Sequence, residues 1–220
     1  MYPIPAYTPL TEIQYFPPVR YFALAYHFPV MLIEQNENYQ KRSLRNKCII
    51  AGPNGTQSLS IPLAKGKNQQ PIITEVKIAN QEDWKRHHLS SLRTSYGKSP
   101  FYIHYIDKIK AVLDKDYEYL FELNIALINL IFGLLGLPAL IAYTEEYKPI
   151  HEKHILDFRN HLNEAIIENV KVVSFAEVKY PQIFLDRFGF LTNLSILDLL
   201  FCMGPDSRVV LKKMILVENK

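Results

Sequence analysis

Two apolar runs, Leu10–Gln14 and Val30–Glu34, stand about one helix apart, and that spacing limits the folds open to this chain more than any other feature. Pro17-Pro18 lies between them, and proline is tolerated in the first turn of a helix. Val19, Phe22, Ala23 and Tyr26 then share one helical face, ending near His27, and Pro29 stops the helix. The pattern reads strand, helix, strand. Parallel strands need a crossover of this length, and the crossover is right-handed.

The rest of the chain is compatible with that start. Lys47–Ala51 and Gln57–Pro62 flank Gly52-Pro53-Asn54-Gly55, a hairpin signal. Ile72–Ile78 reads as a further strand, and Asn80 as the N-cap of a helix holding Trp84. Ser99-Pro100 reads as a third helix start, and Asp116–Leu135 as a fourth helix, ended by Gly136 and Pro138. A strand from Ala139 to Ala142, a polar helix over Asp157–Glu168 and a strand over Val170–Phe175 follow. A helix over Leu194–Met203 is capped by Asn193 and ended by Gly204-Pro205, and a short helix starts at Lys212. The expected class is α/β: a mostly parallel sheet flanked by helices, with a β-hairpin insertion and a helical C-terminal half. One domain over residues 1–220 is expected, a β-rich α/β half to about residue 80, with a mainly helical half from about 81 completing the sheet.

A net charge of +3 gives little support to nucleic-acid binding, which needs a stronger basic excess on one face. Cys48 and Cys202 sit in apolar contexts and read as reduced core residues. The opening Met1-Tyr2-Pro3-Ile4-Pro5 has no basic flank or apolar run, so a cytoplasmic protein without a signal peptide is expected. Ile125–Ala142 is interrupted by Asn129, Gly133, Gly136 and Pro138, whereas a membrane span needs ~20 mostly apolar residues, so no span is expected.

Candidate chemistry begins with the stretch from Tyr39 to Cys48. It holds Lys41, Arg42, Arg45, Asn46 and Lys47 between two apolar runs. A loop fixed between core strands can aim Lys41, Arg45 and Asn46 at a phosphate or carboxylate, although a solvated turn has the same composition. Asp198 lies on a helix that is apolar almost all round, and a buried carboxylate needs a partner. Lys41 or Arg45 could supply it. That pair would either hold the fold or place Asp198 as a base or as the group orienting Arg45. His87 follows Trp84 by one helical turn and reads as a proton-transfer group, or as a half-buried histidine bonded to a carbonyl. Tyr96 and Lys98 stand at a helix start that favours anions. Glu34 ends a strand, where open α/β sheets bind ligands, while Glu37 and Asp157 are further acids near strand ends. There is no HExxH, no CxxC and no paired His/Asp at ligand spacing, so no metal is expected. There is no P-loop, and the lack of GxGxxG and GxSxG takes support from classical dinucleotide binding and α/β-hydrolase chemistry.

Several segments resemble the WbqC-like family of bacterial proteins. They are Tyr15-Phe16-Pro17-Pro18, then Glu34, Glu37, Tyr39 and Lys41 with Arg45-Asn46, then Leu59-Ser60-Ile61-Pro62. Trp84, His87, Tyr96 and Ser99-Pro100-Phe101 follow, then Tyr180-Pro181-Gln182-Ile183-Phe184, Asn193 to Phe201, and Gly204-Pro205. Lys47 and His88 depart from the family's arginine and tryptophan, and residues 152–178 lack its Tyr-Leu-Ser-Gly segment. The resemblance implies a candidate transferase or ligase acting on an anionic, phosphate- or nucleotide-activated substrate in surface polysaccharide (O-antigen-like) biosynthesis. The group moved would be an amino-acid, acyl or glycosyl-related one. A nucleotide is the candidate cofactor. The alternative is a non-catalytic binding or assembly protein, since 14 tyrosines and 12 phenylalanines could line an oligomer interface.

Overall fold

The computed structural model describes residues 7–64, 70–149, 154–160, 162, 164–167 and 171–219. Strand β1 (Thr8–Glu12), helix α1 (Val19–His27) and strand β2 (Val30–Glu34) form the expected unit. The two strands pair in parallel, with Glu12 opposite Glu34. Helix α1 buries Val19, Tyr21, Phe22, Ala23, Leu24 and Ala25, so its apolar face is wider than one stripe. The second half of the chain supplies both outer strands. β5 (Leu140–Tyr143) lies beside β2 and β6 (Ile155–Asp157) beside β1, both parallel, giving the order β5-β2-β1-β6.

Strands β3 (Lys47–Gly52) and β4 (Gly55–Ser60) form the antiparallel hairpin, and Gly55 takes the positive φ of +105° that its turn requires. Helices α2 (Trp84–Tyr96), α3 (Tyr102–Leu113) and α4 (Leu120–Leu135) follow, and Gly136 ends α4 in the left-handed conformation. The C-terminal half is mainly helical, as expected, and also carries strands. Strands β7 (Glu164–Ile167), β8 (Lys171–Phe175) and β9 (Ile215–Asn219) make a separate antiparallel sheet, and helices α5 (Leu185–Phe188), α6 (Ile196–Met203) and α7 (Ser207–Lys213) lie between β8 and β9 in the chain. Helix α1 packs against α6 and α7.

The departures from expectation have local causes. Ile72–Ile78 holds a single turn of 3-10 helix at Ile73–Glu75 instead of a strand, because Ile73 and Val76 bury their side chains at a spacing of three. Asn80 does not cap α2. Its amide donates to the Tyr117 carbonyl at 2.8 Å, and the helix starts at Trp84. Ser99 likewise donates to the Tyr96 carbonyl at 2.6 Å, and α3 starts at Tyr102. The polar helix expected over Asp157–Glu168 is replaced by the end of β6 and by β7. Leu156 and Phe158 are both fully buried, and that period of two belongs to a strand. Ser195, not Asn193, caps α6. Its hydroxyl accepts from Leu197 N and donates to the Phe16 carbonyl. The tail after Lys213 pairs as β9 instead of forming a helix.

Cys48 and Cys202 are both free and buried. Among the described residues no helix is long and apolar enough to cross a membrane.

Candidate functional site at the carboxyl ends of the parallel strands

Three parallel strands each end on an acid: Glu12 on β1, Glu34 on β2 and Asp157 on β6. Parallel pairing brings their carboxylates to one edge of the sheet. Glu12 and Glu34 are nearly inaccessible, and desolvated carboxylates need donors.

Arg159 and Asn160, just past β6, supply most of them. Arg159 Nη1 donates to Glu34 Oε2 at 3.0 Å, and Nη2 and Nε donate to Asp157. Glu34 also accepts from the Thr144 hydroxyl at 2.6 Å and from Asn36 N at 2.9 Å. Asn160 N donates to Glu12 Oε2 at 3.0 Å, while Gln14 Nε2 donates to Glu12 Oε1 at 2.9 Å. Asn160 Oδ1 accepts from Arg45 Nη2 at 3.0 Å. The dipeptide Arg159-Asn160 thus ties together the ends of β1, β2 and β6 and the basic loop.

Arg45 is wholly buried. Its Nε and Nη2 grip both oxygens of Glu37, at 2.7 and 2.5 Å. Burial pushes the Glu37 carboxyl above the usual carboxylate range, Arg45 pulls it back down, and Glu12 and Glu34 add to the upward push.

A cavity of about 880 Å³ opens beside this network, lined by Asn36, Glu37, Asn38, Tyr39, Gln40, Lys41, Gln70 and Tyr147. Lys41 is exposed there and forms no ion pair or hydrogen bond among the described residues. Tyr147 is 52% exposed, and the Arg159 guanidinium lies 4.9 Å from its ring centre.

The structure therefore places Lys41 in the cavity wall, Arg45 against the wall residue Glu37, and Glu34 in the same buried network. The remaining expected site residues lie apart from the cavity lining. Asn46 donates to the Ile61 carbonyl at 2.9 Å, which ties the basic loop to the hairpin's exit. The Tyr96 hydroxyl accepts from Ala51 N at 2.9 Å. Lys98 is exposed in the turn between α2 and α3.

Asp198 is fully buried, but neither Lys41 nor Arg45 is its partner. Asp198 Oδ2 accepts from the Tyr180 hydroxyl at 2.8 Å and from Gln182 Nε2 at 2.9 Å. Gln182 also bonds both the N–H and the carbonyl of Leu191, so the group pins the loop before α6. Burial raises the Asp198 pKa, and its hydrogen bonds oppose that rise.

His87 is exposed and lines a separate hollow of about 440 Å³ with Gln57, Ser58, Leu59, Ser60, His88, Ser90 and Ser91. Its neighbour His88 is the histidine that packs edge-on against Trp84, at 5.2 Å between rings. His88 Nε2 lies 3.2 Å from the Ser60 carbonyl, which can only accept, so Nε2 carries the proton. Nδ1 then accepts from the Tyr15 hydroxyl at 2.9 Å. Burial lowers the His88 pKa to about 4, against the pull of the Ser60 carbonyl. An unfolded histidine titrates near pH 6.5, so the stability gained by keeping His88 neutral is complete above that pH. It is lost as pH falls towards 4, by on the order of 3 kcal/mol. Urea unfolding of wild type and His88→Gln at pH 7.5 and 4.5 checks this. The wild type should lose more stability on acidification than the variant; equal losses would show that His88 protonates freely in the folded state.

Glu12, Gln14, Thr144, Tyr147, Arg159 and Asn160 are absent from the sequence-derived site. One signal for Glu12 was readable: Leu-Thr-Glu12, Leu-Ile-Glu34 and Ile-Leu-Asp157 each put an acid at the end of a strand. Among the described residues no group of histidine, cysteine and acid side chains is arranged to hold a metal.

The model of the WbqC-like protein family matches residues 13–171. That span contains every cavity-lining residue, Arg45 and Arg159, and stops before Asp198. The uncharacterized protein Rv1507c of Mycobacterium tuberculosis (strain ATCC 25618 / H37Rv) is 24% identical over 219 residues, covering 90% of this chain and 94% of that protein. No solved structure matches the chain.

Proposed function

We propose that this chain, which belongs to the WbqC-like protein family, is a group transferase that takes an anionic, phosphate- or nucleotide-activated substrate into the cavity at the carboxyl ends of its parallel strands. The setting suggested by the family is surface polysaccharide biosynthesis. One observation carries the reading: a lysine with no ion pair among the described residues and a desolvated carboxylate line one cavity at the sheet edge where α/β folds bind ligands.

Lys41 meets the phosphate of the activated substrate and offsets the charge that builds on it as it leaves. Glu37 takes the proton of an attacking hydroxyl or amine. The nucleophile's oxygen or nitrogen bonds to the transferred group, the bond to the phosphate oxygen breaks, and the proton ends on Glu37. Its raised proton affinity suits it to that step, and Arg45 fixes its orientation. In this reading Glu37 replaces His87 and Asp198 in the proton-transfer role, because neither of those residues lines the cavity.

Isothermal titration with nucleoside diphosphates and sugar nucleotides tests the reading. At least one should bind, and Lys41→Ala should weaken it about tenfold or more, the scale of one charge-assisted hydrogen bond. If nothing in the panel binds at millimolar concentration, or if Lys41→Ala binds like wild type, the cavity is not a phosphate site.

A further inference from the structure

We infer that the exposed face of Tyr147 is a stacking platform for a nucleobase, and that Arg159, seated on the other face of the ring, is the residue that positions it. The inference rests on the phosphate-site reading above and names a further part of the same ligand.

The ring's two faces are unlike. The Arg159 guanidinium lies over one, 4.9 Å from the centroid, yet the residue as a whole remains 52% exposed in the cavity wall. No other aromatic ring is packed against Tyr147 among the described residues. A large aromatic surface held open to a cavity is suited to a flat partner.

Arg159 holds the ring still. Its Nη2 donates to the Lys148 carbonyl at 2.9 Å, directly after Tyr147, and its other donors are committed to Glu34 and Asp157. Thr144, at the base of the same loop, is bonded to Glu34 and accepts from the Asn36 side chain. The loop from 144 to 148 is therefore fixed at both ends. A pre-positioned aromatic loses little freedom when a ligand arrives, which is what a stacking site needs.

The chemistry favours a base over a sugar. A guanidinium draws on the ring's π-electrons, which weakens its hold on the C–H groups of a sugar. Stacking of a planar base depends on contact area, and every base offers a π-face. Lys41 lines the same cavity and is available to the phosphates of the same molecule.

Calorimetry with UDP, ADP, inorganic pyrophosphate and glucose 1-phosphate tests this on wild type, Tyr147→Ala, Tyr147→Trp and Arg159→Lys. Wild type should bind UDP and ADP at least tenfold more tightly than pyrophosphate. Tyr147→Ala should erase that advantage while leaving pyrophosphate affinity unchanged, and Tyr147→Trp should restore it. Arg159→Lys keeps a charge against Glu34 but loses the planar stack, so it should bind nucleotides several-fold more weakly and pyrophosphate as before. Nucleotides binding no better than pyrophosphate, or a Tyr147→Ala that keeps the advantage, would overturn the inference while leaving the phosphate site standing. So would glucose 1-phosphate depending on Tyr147 as strongly as the nucleotides do. Absence of binding by all four compounds would overturn both readings.

Discussion

Arg45→Ala is expected to destabilise the protein by about 3–5 kcal/mol, the range for breaking a buried ion pair, and to lower its melting temperature by roughly 10 °C. The cause is what remains behind. Glu37 is 2% exposed and takes both of its charge-assisted bonds from Arg45, so the variant leaves a buried carboxylate with no cation. Asn160 loses a donor at the same time. Replacing both partners should cost far less, because the desolvation penalty disappears with the charges. Glu37→Leu/Arg45→Met should therefore be markedly more stable than Arg45→Ala. Denaturant titration of wild type, single variant and double variant measures all three. A single variant within 1 kcal/mol of wild type would mean that Glu37 takes up a proton at little cost, or finds water.

Arg159→Ala should be equally damaging, at about 3–5 kcal/mol, for a related reason with wider reach. Glu34 is fully buried, and Arg159 is the cation bonded to it. Thr144 and Asn36 N still donate to Glu34 after the change, but neutral donors do not replace a charge. The loop carrying Tyr147 also loses its contact at the Lys148 carbonyl. Stability loss and loop loosening should appear together, so hydrogen exchange should quicken across residues 144–148 under conditions where the rest of the fold stays protected. Glu34→Gln/Arg159→Ala, which removes the stranded charge, should recover part of the stability and none of the loop protection. A stable Arg159→Ala with unchanged exchange would show that the network is not held by this side chain.

The first strand, helix and second strand were legible because proline punctuation and apolar spacing both act locally. The hairpin was legible for the same reason, since Pro53-Asn54 makes the turn and Gly55 takes the positive φ that closes it. The stretch after Asp157 was not. Its residues look polar when read as a helix, and only pairing with β1 makes Leu156 and Phe158 a buried alternation. That misreading also hid Arg159 and Asn160, the two residues on which the site most depends. Arg45 and Glu34 stand out by type and position, because charges placed among core strands must be held by something, and Lys41 stands out only as a further cation of the same loop. Which charge holds which was not readable. Arg45 pairs with Glu37, eight residues away, whereas Asp198 takes the neutral donors Tyr180 and Gln182, both on Oδ2. A buried carboxylate does not require a cation when a hydroxyl and an amide reach it, and sequence alone gives no sign of which will do so. The buried histidine turned out to be His88, one residue from the one singled out, because i+4 brings a side chain over Trp84 as readily as i+3.

The account rests on the cavity beside the strand ends being where ligand binds. A crystal structure of the protein soaked with UDP tests that most directly. Density should lie between Lys41 and Tyr147, with the phosphates within hydrogen-bond distance of Lys41 Nζ and the base flat against the Tyr147 ring. Density in the hollow beside His87, or around Asp198, with the Lys41 cavity empty, would contradict it.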